Sequence, residues 1–190
     1  MPWSMYIAAA LCVVAASEIP LPAARPTSVA SRSSLAPLKV GDRAPDFDYQ
    51  SYDYRWVRFH HMLQRDAVVL VFSPDEATLA GLEAQREPLA ECGVAPVAVV
   101  GEPDRAVWRR VTRLGLTYSL LSDPHGVIAE AFGAWDTMAH RAVPAWCVVG
   151  GDGRIRASGL GLPHADELAA TALQALGLVP PRSEPPAAAN

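Results

Sequence analysis

The residues with the most chemical interest lie between 71 and 85, in the stretch VFSPDEATLAGLEAQ. An apolar run passes through a turn at Pro74 into a helical pattern near Thr78. The first turn of a helix can activate a nucleophile, because its unpaired N–H groups and the helix dipole lower the pKa of a thiol. The stretch has the setting for such a nucleophile and contains no cysteine.

Two carboxylates, Asp75 and Glu76, precede Thr78. No base or metal-ligand partner accompanies them, so acid–base chemistry is not indicated. Acidic residues are favourable at the positive end of a helix, and a Thr side chain can cap it. We therefore expect a helix that starts near Leu79, with Thr78 as its N-cap.

The three cysteines, Cys12, Cys92 and Cys147, lie far apart in the sequence and match neither a disulfide framework nor a zinc site. Cys92 precedes Gly93 at the end of a helical pattern, where the dipole disfavours a thiolate. Cys147 lies inside AWCVVG, which indicates a buried strand. We expect both of these thiols to be structural rather than catalytic, and we expect no bond between them.

Composition excludes several classes of function. The 190 residues carry a formal net charge of -4, which argues against nucleic-acid binding. Four arginines share one helical pattern, and we interpret them as a solvated face: Arg105, Arg109, Arg110 and Arg113. The adjacent His60 and His61 would point to opposite faces of an extended segment, so no metal site is expected. No cofactor fingerprint is present either.

The chain divides into four parts. Residues 1–17 resemble a signal peptide, although no Lys or Arg precedes the apolar run. The run is too short to span a bilayer, so we expect export to the periplasm or cell envelope, with a cytoplasmic location as the alternative. Residues 18–37 are a Ser/Ala/Pro-rich linker, residues 38–177 are the folded domain, and residues 178–190 are a disordered Pro/Ala tail.

Within the domain, apolar strand patterns alternate with helical patterns, and a hairpin and a last helix follow. The strands are predicted at 67–72, 95–100, 117–123, 145–150 and 153–159. Such an alternation predicts an α/β fold with a central mixed β-sheet flanked by helices.

Several strings resemble the thioredoxin-like superfamily, and more narrowly its redoxin branch, the alkyl hydroperoxide reductase C–thiol-specific antioxidant (peroxiredoxin) family. They are LKVGDRAPDF (38–47), VVLVFSP (68–74), LLSDPHGVIAEAFGAW (120–135) and VPAWCVVGGDGRI (143–155). The resemblance implies a thioredoxin-like fold and a place among antioxidant oxidoreductases whose nucleophile is a cysteine thiolate.

The family's motif is Pro-x-x-x-Thr-x-x-Cys. Pro74 and Thr78 match it, and the cysteine position is Gly81. The related thioredoxin-like oxidoreductases have a Cys-x-x-Cys motif, and its two cysteine positions correspond to Ala77 and Ala80 of this chain. By resemblance, this chain is a degenerate member that lacks the catalytic cysteine.

The resemblance also places Pro144 where peroxiredoxins carry an arginine and where thioredoxins carry a cis-proline. We therefore expect a cis bond between Val143 and Pro144. Arg141 is close enough in sequence to reach the same pocket. With the vacant helix end, the proline loop would form a groove for a peptide or an anion.

The hypothesis that follows is a binding or scaffolding module with a protein or peptide partner and without thiol peroxidase activity. The alternative is a thiol-dependent oxidoreductase or peroxidase that uses Cys92 or Cys147 from a position the family does not use.

Overall fold

The computed structural model describes residue 35, residues 37–50 and residues 56–178. The leader assigned to residues 1–17, nearly all of the linker and nearly all of the tail lie outside this part of the chain. In the part that is described, no helix is both long and apolar enough to cross a membrane.

Nine strands and five helices make up the described fold. The strands are β1 (Asp48–Gln50), β2 (Trp56–Arg58), β3 (Ala67–Phe72), β4 (Val94–Val100), β5 (Ser119–Ser122), β6 (Trp135–Asp136), β7 (Arg141–Ala142), β8 (Ala145–Val149) and β9 (Ile155–Leu160). The helices are α1 (Phe59–Leu63), α2 (Glu76–Glu91), α3 (Asp104–Leu114), α4 (Val127–Ala131) and α5 (Ala165–Ala175).

A five-stranded sheet in the order β5-β4-β3-β8-β9 forms the centre of the fold. Strand β3 pairs in parallel with β4 and antiparallel with β8, so the sheet is mixed, as predicted. Alternate residues of the AVVLVF strand enter two separate cores: Val69 and Val71 face one, and Val68 and Leu70 face the other. Such a strand is buried on both sides because helices cover both faces of the sheet.

The two cores are built by different helices. Residues of α2, α3 and α5 pack on one face, where Leu82, Val107 and Leu168 are buried. On the other face, α1 and α4 contribute Phe59 and Ile128. The predicted α/β fold with helices on both faces of the sheet is therefore confirmed.

Helix α2 begins earlier than predicted. Its first residue is Glu76 and its N-cap is Asp75, whose carboxylate accepts a hydrogen bond from the Thr78 N–H at 2.8 Å. The prediction that Thr78 caps the helix is therefore wrong. Asp75 caps the helix because its backbone is extended just before the first helical residue, and its negative charge is favourable at the N-terminal end of a helix.

The bond between Val143 and Pro144 is trans, since no peptide bond among the described residues is cis. The predicted cis-proline is therefore wrong. The Val143 N–H donates to the Ala134 carbonyl at 2.9 Å, and the Pro144 carbonyl accepts from the Gly161 N–H at 2.8 Å. These hydrogen bonds lie on either side of a peptide bond in the trans form, which X-Pro bonds prefer.

His60 and His61 were expected in an extended segment, and this is wrong because both lie in helix α1. Their rings are 4.3 Å apart between centroids. The Nδ1 atom of His60 lies 3.0 Å from a carboxylate oxygen of Asp46. Among the described residues, no group of three or more His, Cys, Asp or Glu side chains could hold a metal ion.

Candidate functional site

The candidate residues line two different cavities. One, which we call the α2–α5 groove, has a volume of about 470 Å³ and lies between the N-terminal turns of those helices. Its lining includes Asp75, Ala77, Thr78, Gly81, Pro163, His164 and Asp166. The single groove predicted from the sequence, made of the helix end and the proline loop, is therefore divided.

The second cavity, the Pro144 pocket, has a volume of about 430 Å³. Its lining is Ser73, Gly101, Pro124, Trp135, His140, Arg141, Ala142, Val143 and Pro144. Ser73 directly follows β3, and Gly101 directly follows β4. The pocket therefore lies at the carboxyl edge of the parallel strands, where α/β sheets commonly bind ligands.

Pro74 is buried and lies between the two cavities. Its neighbour Ser73 lines one cavity, and its neighbour Asp75 lines the other. The turn that enters α2 therefore separates them. The N-terminal end of α2 and Pro144 therefore line different cavities.

The first turn of α2 consists of Glu76, Ala77 and Thr78, and none of these side chains is as nucleophilic as a cysteine thiolate. The hydrogen bond from the Thr78 N–H lowers the pKa of the Asp75 carboxyl below its ordinary value of 3.8. We expected a vacant helix end, but the Asp75 carboxylate of the chain itself occupies it. A bound anion would have to compete with Asp75 for the same N–H groups.

Gly81 is the sixth residue of α2 and lies in its second turn. A Cβ atom at this position would lie 2.7 Å from the Cβ of Ala165 in α5. The two helices therefore pack closely at Gly81, which leaves no room for a cysteine side chain unless they separate. Ala77 and Ala80 are exposed on the same helix.

Cys147 lies in β8, where its side chain belongs to the same core as Phe59 and Phe132. Only 3% of its surface is exposed, and burial raises the pKa of the thiol to about 12. Cys147 is therefore a neutral, inaccessible thiol at physiological pH.

Cys92 is the C-cap of α2 and is half-buried. It packs against the core on the opposite face of the sheet from Cys147. The two thiols are thus separated by the sheet and do not form a redox pair. The position at a helix C-terminus also lacks the N–H groups that stabilise a thiolate.

The wall of the Pro144 pocket is positioned by a glycine. The ring of Trp135 lies over Gly126, where an added Cβ would approach the ring to 2.2 Å. Gly126 also has a φ of +70°, in the left-handed region that favours glycine. The missing side chain at Gly126 therefore allows the Trp135 ring to lie directly against the backbone.

Two residues of the Pro144 pocket have unusual backbones. Ser73 has a φ of +49° and His140 has a φ of +48°, and these are the non-glycine residues with positive φ in the described part of the chain. Both line this pocket. Strained residues concentrate at functional sites, because a binding geometry can require a backbone that sterics disfavour.

The sequence singled out Arg141 and Pro144 in this pocket and missed Ser73 and His140. Positive φ at a serine or histidine is imposed by tertiary contacts and leaves no pattern in the sequence. The available indication was the position of Ser73, directly after a buried strand.

The five-stranded mixed sheet with helices on both faces, and a strand-to-helix turn at its carboxyl edge, define a thioredoxin-like fold. The AhpC/TSA family model matches residues 40–158, and the chain belongs to this family. The redoxin resemblance seen in the sequence is thereby confirmed.

Known relatives agree with this assignment. Alkyl hydroperoxide reductase E of Mycobacterium bovis and that of Mycobacterium tuberculosis are each 31% identical over 129 residues, which is 63% of this chain and 83% of the relative. Among solved structures, peroxidoxin BcpB from Mycobacterium tuberculosis has a TM-score of 0.66 at 23% identity, covering 74% of this chain and 97% of that one. Enterococcus faecalis AhpC has a TM-score of 0.63 at 20% identity, covering 71% and 90%. These structural likenesses establish the fold.

Proposed function

We propose that this protein is a member of the AhpC/TSA family that has lost thiol peroxidase activity and acts as a binding module. The observation that carries the proposal is that no cysteine stands on α2 at the positions that the motifs assign to the nucleophile, which are Gly81 or, in the other alignment, Ala77 and Ala80. Reduction of a peroxide by a thiol requires a thiolate that attacks the O–O bond and becomes a sulfenic acid. Neither a glycine nor an alanine supplies that step.

The two described cysteines offer no substitute. Cys147 is buried with a raised pKa, and Cys92 lies at the unfavourable end of its helix. The burial of Cys147 and the position of Cys92 argue against the alternative, an oxidoreductase that uses one of these two thiols as its nucleophile.

The Pro144 pocket is the ligand site that we assign to the module. It combines a concave shape, two strained residues and exposed polar groups at the carboxyl edge of the sheet. The natural ligand in this proposal is a protein or peptide partner, or a smaller molecule that resembles part of one.

The test is consumption of hydrogen peroxide and of an organic hydroperoxide by the purified protein with dithiothreitol as reductant. The matched control is the double variant Cys92→Ser, Cys147→Ser. We expect both proteins to show only the uncatalysed rate. Turnover of about 1 s⁻¹ or more that disappears in the double variant would show a working thiol peroxidase and overturn the proposal.

A further inference from the structure

We propose that the Pro144 pocket binds an organic carboxylate whose apolar body lies against Trp135. This inference rests on the proposed function, because it names the chemical class of ligand for the same pocket.

The lining favours an anion, because Arg141 carries a fixed positive charge. Arg141 and His140 line the pocket, and none of its lining residues is a carboxylate. Both side chains are exposed, and neither forms an ion pair or a hydrogen bond with another residue in the described part of the chain. A guanidinium without an acidic partner is suited to a carboxylate, which it can bind through two parallel hydrogen bonds.

The carboxylates next to the lining residues in sequence are engaged elsewhere. Asp123 accepts hydrogen bonds from the N–H groups at the start of α4, including those of Ile128 and Ala129. Glu102 pairs with Arg110. Asp136, which stands opposite Arg141 in the β6–β7 pair, accepts from the N–H groups of the following turn. None of these three carboxylates forms an ion pair with Arg141.

Ser73 adds a second donor. Its N–H donates to the Val99 carbonyl at 2.9 Å, whereas its hydroxyl makes no hydrogen bond within residues 37–50 and 56–178. The strained backbone places this residue on the pocket lining. A hydroxyl and a guanidinium on one lining provide donors for both oxygens of a carboxylate.

The remaining wall is flat and apolar. Trp135, Pro124 and Pro144 line the pocket, and the Trp135 ring lies against the backbone of Gly126. The volume of about 430 Å³ is within the range of small-molecule sites. An aromatic or branched aliphatic body would stack on these rings while its carboxylate reached Arg141. A free acid and the C-terminus of a peptide both present this chemistry.

The experiment is titration calorimetry of the full chain with three probes: benzoate, N-acetylphenylalanine and N-acetylphenylalaninamide. We expect at least one of the two acids to bind, and the neutral amide to bind about tenfold more weakly than its acid or worse. Stronger binding of benzoate would indicate a free acid as the natural ligand. Stronger binding of N-acetylphenylalanine would indicate a peptide C-terminus.

The variant Arg141→Gln should weaken the acids by about tenfold or more and leave the amide unchanged. Arg109→Gln is the matched control, because Arg109 is an exposed arginine on α3 outside the pocket. Arg141→Lys, which keeps the charge and loses the fork, provides a second variant should Arg141→Gln fail to fold. An intermediate affinity is expected for it.

The ligand assignment is overturned if neither acid binds, if the amide binds as well as its acid, or if Arg109→Gln weakens the acids as much as Arg141→Gln. If one of these results is found and the protein also fails to reduce peroxides, the ligand assignment is wrong but the proposed loss of peroxidase activity still holds. Peroxide turnover would remove the proposed function whatever the calorimetry shows.

Discussion

The carboxylate of Asp75 accepts a hydrogen bond from the backbone N–H of Thr78 at 2.8 Å. The chain thereby binds its own anion at the N-terminal end of the helix that carries Gly81, the position that the family motif assigns to the cysteine. The same turn directs Ser73 into a different cavity, the Pro144 pocket.

Replacement of Asp75 by Ala should lower the free energy of unfolding by about 1 kcal/mol, because the α2 N-cap is lost. Asp75→Asn keeps a capping side chain and should cost less. The measurement is urea unfolding at neutral pH. Equal stability of the Ala and Asn variants would contradict the capping role.

The contribution of Asp75 should depend on pH. The hydrogen bond from Thr78 lowers its pKa in the folded state below the ordinary 3.8. Its charged form therefore stabilises the fold fully above that value, and the stabilisation is lost as the pH falls through the folded-state pKa. The difference between the wild type and Asp75→Asn, measured from pH 7 to pH 2, should shrink at the acidic end. A difference that grows on acidification would contradict this sign.

Gly81→Ala should destabilise the protein, because the new Cβ would lie 2.7 Å from the Cβ of Ala165. Overpacking costs about 1–3 kcal/mol, and the better helix propensity of Ala offsets about 1 kcal/mol of this. The control is the double variant Gly81→Ala, Ala165→Gly, which moves the methyl group to the other helix and should recover stability. Thermal unfolding of the three proteins measures the effect, and a stabilised single variant would show that the helices separate easily.

A thiol introduced in the first turn should be accommodated better than one at Gly81. Ala77 is exposed, so Ala77→Cys should fold normally and react with a disulfide reagent. Gly81→Cys should be destabilised as Gly81→Ala is, because Ala165 faces that position. A colorimetric thiol assay alongside thermal unfolding compares the two. If Gly81→Cys is as stable as the wild type, the proposed close packing is wrong.

Cys147 should resist alkylation in the folded protein. Burial raises the pKa of its thiol to about 12, so the reactive thiolate is scarce at pH 8, and the core excludes the reagent. Iodoacetamide followed by mass spectrometry should show Cys92 modified first and Cys147 modified only in denaturant. Rapid modification of native Cys147 would revive the alternative of a relocated catalytic thiol.

Much of the fold could be predicted because it depends on local patterns. The AVVLVF run of β3 was placed with the bounds that the structure has, since a continuous apolar run between polar turns indicates a strand buried on both faces. The start of α2 was misplaced by a few residues because Asp75 and Thr78 are both good capping residues, and only the path of the turn decides between them.

The sequence by itself determined the alternation of strands and helices, the family motifs and the absence of a cysteine at Ala77, Ala80 and Gly81. Those properties depend on residue type and spacing along the chain. The tertiary structure decided the trans bond before Pro144, the contact between Gly81 and Ala165, and the division of the candidate residues between two cavities. Each of these depends on how segments distant in the sequence pack together, and close packing permits few of the arrangements that local patterns allow.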